Sequence, residues 1–225
     1  MTHMATRRPA RKRPAEVGYR TRVAGERRLR TRARILESAV GVFARKGPDA
    51  PVIDDFIRAA GVARGTFYNY FTSTEELLAA TTHRLEDDLM VRIERELESL
   101  DDPVLRLATG VRLWLRWARS DRTFCEFIVR SRFRGELVER IVTTDLRRAR
   151  AAGEFSFRSL PIARDLVVGT IRESMNRILQ DSVPRSYVDE VARLILRGVG
   201  LNERRIRAAL ERPVPAMRPP RRTPS

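Results

Sequence analysis

Val52-Ile53-Asp54-Asp55-Phe56-Ile57-Arg58-Ala59-Ala60-Gly61-Val62-Ala63-Arg64-Gly65-Thr66-Phe67-Tyr68-Asn69-Tyr70-Phe71 is the stretch that decides the fold. It reads as two short helices joined by a tight turn at Ala60-Gly61-Val62, the layout of a helix-turn-helix. Gly61 can take the left-handed conformation that ends the first helix, and Val62 then tucks inward to fix the angle to the second. In that second helix the spacing puts Phe67 and Phe71 on the core side and turns Arg64, Gly65, Thr66, Tyr68 and Asn69 outwards. This outward set suits a groove of duplex DNA. An arginine fork matches guanine, an asparagine matches adenine, the Thr66 methyl fits thymine, and Gly65 allows close approach. Tyr68, Tyr70 and Thr66 can instead hydrogen-bond phosphates, which positions the helix without reading sequence.

Upstream, Ile35, Leu36, Ala39, Val40 and Phe43 repeat at helical spacing and predict a helix over about 27–45, ended by Lys46-Gly47-Pro48. Pro51 suits the first position of the next helix. Downstream, Ser73-Thr74-Glu75-Glu76 has the pattern of a capping box, and a long helix striped with Leu78, Leu85, Leu89, Ile93 and Leu97 follows it.

The ordered series Ile35-Leu36, Ala39, Phe43, Gly47, Ala59-Ala60-Gly61-Val62, Gly65-Thr66-Phe67-Tyr68, Phe71, Ser73 and Glu75-Glu76-Leu77 resembles the tetracycline-repressor (TetR) family of transcription regulators. The resemblance covers about a fifth of the chain. It implies an all-α protein: an N-terminal three-helix helix-turn-helix DNA-binding domain, followed by a helical ligand-binding and dimerisation domain. Four positions depart from the family pattern. Pro51-Val52 stands where a Thr-Thr pair is common, Thr74 where a lysine is usual, and Tyr70 where histidine is commoner. Ala63 stands at a helix cap, where alanine performs poorly.

Composition points to the same kind of partner. The 225 residues carry a formal net charge of +16, a field that concentrates polyanions at the surface. Residues 1–30 hold ten basic and two acidic residues, a net +8 and half of the whole excess. With Pro9, Pro14, Gly18 and Gly25 among Arg7, Arg8, Arg11, Lys12, Arg13, Arg20 and Arg22, residues 1–26 read as a disordered basic arm. Such an arm can lie along phosphates, in compensation for the departures above. No apolar run is long enough to span a membrane, and no membrane partner is expected. The single cysteine, Cys125, with no apolar signal core behind the basic N-terminus, points to the cytoplasm. Arginine outnumbers lysine 43 to 2 throughout the chain and carries no mechanistic weight.

Nothing favours an enzyme. There is no P-loop, nucleophile elbow or His-Glu-x-x-His, and only two histidines, His3 and His83. Gly198-Val199-Gly200 follows a helix and lacks a third glycine, so it is no dinucleotide site. His83 and Asp87 have metal-ligand spacing without a third ligand nearby, and no metal or cofactor is expected. The rival reading is a sequence-indifferent nucleic-acid-binding or chromosome-associated protein driven by charge.

Domain bounds are read as 27–74 for the helix-turn-helix unit and 75–211 for the second domain, with helices near 104–119, 121–131, 135–152, 161–181 and 187–199. A proline- and arginine-rich tail, 212–225, reads as disordered. A single reading helix buries too little surface for specific affinity, so a homodimer on a palindromic operator in double-stranded DNA is expected. The family resemblance places its contact on the last two of those helices, through Leu166, Thr170, Ile171, Val191, Leu194 and Ile195. It also implies an unknown small-molecule effector in the second domain. The candidates for its pocket are Met90, Trp114, Trp117, Phe124, Phe127, Phe133, Ile141, Met175 and Asn176, with His83 and Asp87 as polar handles. Arg112, Arg116 and Arg119 form a basic stripe, read chiefly as a solvated face.

Overall fold

The structure is a computed structural model that describes residues 14–130 and 135–217, with side chains from residue 22 onward. Among the described residues it contains ten helices and no strand: α1 (Pro14–Lys46), α2 (Ile53–Ala60), α3 (Arg64–Tyr68), α4 (Thr74–Leu97), α5 (Pro103–Ser120), α6 (Arg122–Arg130), α7 (Glu136–Ala151), α8 (Leu160–Gln180), α9 (Tyr187–Gly198) and α10 (Glu203–Glu211). The chain separates into two compact units, residues 1–74 and 75–225.

The first unit is built on aromatic packing. Ile35, Leu36, Ala39, Val42 and Phe43 of α1, Phe56 and Ala60 of α2, and Phe67 and Phe71 around α3 are all buried. The Phe43 and Phe56 rings lie 4.9 Å apart, and those of Phe67 and Phe71 6.1 Å. Asp55 secures the start of α2 from both sides. Its Oδ2 accepts the Val52 N–H at 3.0 Å while Oδ1 accepts Lys46 Nζ, at the end of α1, at 2.7 Å. The Lys46 bond, followed by the Val52 N–H, holds the Asp55 carboxyl below its ordinary range. Gly61 ends α2 at φ 57°, ψ 43°, and its own N–H and that of Val62 reach back to the carbonyls of Arg58 and Ile57.

α1 corrects the sequence reading. It starts at Pro14 rather than near Arg27, so the latter half of the expected arm is helical; residues 1–13 lie outside the described residues. Gly18 and Gly25 cost about 1 kcal/mol each in a helix interior. They are outnumbered by good helix formers, and Pro14 occupies a first-turn position where its missing N–H costs nothing.

The second unit is arranged around α5, which packs against each of α6 to α10. Twelve of its eighteen residues are buried, so it is apolar nearly all round and serves as the core. Asp102 caps it, accepting from the N–H groups of Val104 (2.9 Å) and Leu105 (3.3 Å), and also accepts Arg205 Nη2 at 2.6 Å. The expected arginine stripe breaks up here. Arg116 and Arg119 are exposed, but Arg112 is buried, donating to Asp189 Oδ1 at 2.7 Å and to the Arg212 carbonyl at 2.8 Å. That last bond corrects the tail as well. Residues 212–217 are non-helical but lie on the second unit, with Val214 and Met217 against its core. α10 is also additional to the expected helices; Asn202 caps it by accepting the Arg205 N–H at 2.9 Å. Cys125 is buried, its Sγ donating to the Met175 carbonyl, and burial pushes its thiol up to about 12.

A Cβ on Gly61 would meet nothing within 4 Å, so only backbone strain opposes a side chain there. Gly61→Ala should therefore destabilise α2 and α3 by about 1 kcal/mol, seen as faster native-state hydrogen exchange in residues 53–71 with the second unit unchanged.

Candidate functional site

α3 is five residues long and presents two unlike faces. Phe67 is fully buried, while Arg64, Gly65, Tyr68 and Asn69 are exposed and Thr66 and Tyr70 half-buried. All six sequence candidates thus lie on one small, accessible surface. Arg64 is tethered there: its Nη1 lies 3.2 Å from Asp54 Oδ1, and its guanidinium stands 6.0 Å from the centre of the Tyr68 ring. The Tyr68 hydroxyl and then the Asp54 charge hold it above its already high ordinary range, so it is a permanent cation. Both ends of the Asp54 pair are more than half exposed, and water leaves such a pair weak enough to exchange partners. Ala63 supplies no capping side chain, as the sequence suggested.

The exposed side of α1 adds residues that the sequence reading did not single out. Arg27, Arg28, Arg30 and Arg34 border an open depression whose other side is Gly61, Val62, Ala63, Thr66, Asn69 and Tyr70. Arg28 stands 6.0 Å over the Tyr70 ring. These arginines recur at helical spacing within the helix expected over 27–45, whose apolar face alone was singled out in the sequence. Four cations beside these six positions form a surface suited to a phosphate backbone flanking a groove.

In the second unit a cavity lies among α4, α5, α7 and α8, with about 770 Å³ of space that includes its open mouth. Met90, Trp114, Ile141 and Met175 of the expected pocket residues line it, together with Ile93, Val111, Val142 and Val167. The remaining candidates lie elsewhere. Phe124 is buried behind the wall with its ring 5.9 Å from Trp114, Trp117 is buried under Arg92, and Phe127 is buried away from the cavity. Asn176 sits in a shallow surface depression and accepts from Gln180. Phe133 lies outside the described residues. His83 does not line the cavity, nor does Asp87.

The polar part of the wall was not foreseen. Arg106 is held by Glu94 (2.8 Å), Asp145 (3.3 Å) and the Leu97 carbonyl (2.8 Å). Arg172 donates to the Val129 carbonyl at 3.1 Å, and Glu139 pairs with Arg164 at 3.6 Å. Glu86, 4% exposed, faces the cavity, and among the described residues its Oε2 has no hydrogen-bond partner. Burial pushes its carboxyl up to about 7, against the opposing pull of Arg172; Asp87 adds to the rise and the Gly135 N–H opposes it. A Cβ on Gly135 would stand 2.5 Å from Glu86 Oε2, so a side chain there would push the carboxyl aside.

The expected dimer residues divide. Val191 (6% exposed) and Ile195 (1%) are core of their own chain, and Ile171 lines the cavity, so these three are corrected. The apolar stripe of α9 faces α5, which a pattern along one helix cannot distinguish from a partner chain. Leu166 and Thr170 are half-buried, while Leu194 (60%) and Ile162 (70%) are exposed.

Residues 35–81 match the model of the tetR family of bacterial regulatory proteins. An uncharacterised helix-turn-helix regulator of Bacillus subtilis, YvdT, is 36% identical over 69 residues, 31% of this chain and 36% of that protein. The repressor KstR2 of Mycobacterium tuberculosis is 34% identical over 86 residues, 38% of this chain and 42% of that one. The chain thus spans less than half the length of these curated relatives. The crystal structure of RolR with resorcinol superposes with a TM-score of 0.70 at 25% identity, covering 85% of this chain and 98% of that one. Residues 35–81 are thus similar to the tetR family of bacterial regulatory proteins, and the chain resembles RolR in fold. Among the described residues no helix is long and apolar enough to cross a membrane.

The Glu86 carboxyl makes a pH prediction. Its folded-state pKa is raised, so folding binds its proton more tightly. The resulting stability is full below about 4.5, falls as pH rises towards 7, and is gone above it. Glu86→Gln should therefore gain stability relative to wild type between pH 5 and 8, by on the order of 3 kcal/mol at most, measured as the difference in denaturant midpoint across that range.

Proposed function

We propose that this chain is a sequence-specific DNA-binding transcriptional repressor, active as a homodimer on a palindromic operator and released when a small molecule occupies the cavity of the second unit. One observation carries the DNA-binding part. Arg64, Gly65, Tyr68 and Asn69 lie exposed, with Thr66 half-buried among them, on and just after a helix whose opposite side is locked into the core, bordered by four arginines of α1. Bases are read by the first set and phosphates held by the second. Tyr70, half-buried under Arg28, positions rather than reads.

KstR2, which carries the word repressor in its name, supports the sign of regulation. RolR, crystallised with resorcinol and also without ligand, supports a small-molecule effector. The cavity walls, apolar with a few polar groups, have the make-up of a binding site for such a molecule. Dimerisation would use α8 and α9, where Ile162 and Leu194 are exposed. It would set two copies of α3 about 34 to 36 Å apart, one turn of duplex. An effector that favours a different spacing of the two heads would lower operator affinity by that difference alone. Regulation, not catalysis, is the proposed role, and a cytoplasmic site of action follows from it.

Selection from random duplexes should enrich two inverted half-sites with centres one helical turn apart; recovery of no common sequence would sink the reading. On the enriched site, Arg64→Ala should cost about 1–3 kcal/mol and relax preference at one base position, with little change on scrambled DNA. Tyr68→Phe should weaken both duplexes alike. Equal losses on both for Arg64→Ala would remove it from base reading. Replacing Arg27, Arg28, Arg30 and Arg34 by glutamine should weaken all sequences and flatten the plot of log affinity against log salt. The slope should fall by roughly 0.9 for each phosphate no longer neutralised, read from titrations between about 50 and 200 mM salt.

A further inference from the structure

We propose that the cavity's effector is an uncharged, largely apolar molecule bearing a hydroxyl group that donates a hydrogen bond to Glu86 Oε2. This rests on the reading of the cavity as an effector site, and it names the chemistry that site selects.

The bulk of the wall sets the body of the ligand. Met90, Ile93, Val111, Trp114, Ile141 and Met175 present apolar surface, and Trp114 spends its one N–H on Met175 Sδ at 3.2 Å. The polar groups set the rest. Arg106 and Asp145 neutralise each other, with Glu94 completing the set, and Glu139 is paired to Arg164. Those groups do not call for a charged ligand. Glu86 differs: its carboxyl is nine-tenths buried and faces the cavity, with Oε2 unpartnered among the described residues. A buried acceptor left unsatisfied is costly, so a ligand that supplies the donor recovers that cost on binding.

The charge of the donor follows from the surroundings. Burial pushes the carboxyl up to about 7, so at neutral pH it is close to half protonated, and the positive charge of Arg172 acts on it directly. An ammonium ligand would meet that cation and lose its hydration in an apolar wall. A carboxylate ligand would face Glu86 itself. A neutral donor meets neither obstacle. Among neutral donors a hydroxyl adds the least polar surface to an otherwise apolar body, which suits the apolar wall around Glu86. With no side chain at Gly135, nothing from that position displaces the carboxyl.

Isothermal titration of the full-length protein at pH 7 with 4-butylphenol, its methyl ether 4-butylanisole and the cationic 4-butylbenzylamine tests this. The phenol should bind about tenfold more tightly than the ether, equivalent to about 1.4 kcal/mol, and more tightly than the amine. Glu86→Met should bring the phenol-to-ether ratio to about one, while Glu86→Gln, whose amide oxygen still accepts, should retain a preference. The wild-type ratio stands as a test even where a variant fails to fold. Equal binding of phenol and ether, tightest binding of the amine, or a preference that survives Glu86→Met would each overturn the hydroxyl contact while leaving the cavity as the effector site. Binding of none of the three would instead overturn the cavity reading, and the proposal with it.

Discussion

The left-handed turn at Gly61 is the constraint on which the reading surface depends. α3 is far shorter than an isolated helix needs to persist in water, so its conformation is borrowed from what it packs against. The turn delivers Phe67 and Phe71 to the core that Phe43 and Phe56 have already formed, and only then are the intervening side chains held outwards. Asp55 acts on the same geometry from the other end of α2. By accepting both Lys46 and the Val52 N–H, it fixes where that helix starts relative to the end of α1. Orientation of the residues proposed to contact DNA is therefore a property of buried phenyl rings and one backbone reversal, not of the exposed residues themselves.

The second unit solves a different problem, that of keeping a cavity open inside a helical core. Space within a close-packed interior is costly, and helices free to slide would close it. Here partly buried ion pairs brace the surrounding helices: Arg106 ties α5 to α4 and α7, Arg112 ties α5 to α9, and Arg205 ties α10 to the start of α5 and to Glu154 after α7. Each guanidinium is matched by carboxylates or carbonyls in fixed positions. Against that background the Glu86 oxygen marks the cavity wall, because among the described residues it is buried there without a hydrogen-bond partner.

What could be read beforehand followed physical rules that act locally. Gly61 between two apolar periodicities announces a turn whatever surrounds it, and the i, i+4 spacing of Phe67 and Phe71 announces a core face. Those features also carried the family resemblance. Misreadings arose where a local pattern has two solutions. Pro14, Gly18 and Gly25 suggested an arm, yet α1 tolerates them and runs through the segment. Val191 and Ile195 form a stripe that fits a partner helix as well as the buried α5 they contact. Trp117 and Phe127 are aromatic and in the right domain, but a helix carries only one face to a cavity, and theirs is another. α10 was legible in Asn202 followed by Ile206, Ala209 and Leu210, and was passed over. Glu86 had no sequence signal at all, since a glutamate in an amphipathic helix is ordinary until its neighbours show that it is buried.

The reading face of α3 is the centre of this account, and its specificity is most directly measured as the ratio of affinities for a selected palindromic duplex and a scrambled duplex of equal length, followed as salt is raised. Counterion release weakens both complexes and is blind to sequence, whereas contacts to base edges distinguish them. A ratio of about a thousand or more that persists as both affinities fall is the predicted result. Equal affinities that collapse together with salt would contradict it, and would leave the arginines of α1 and the net positive charge as the whole basis of DNA binding.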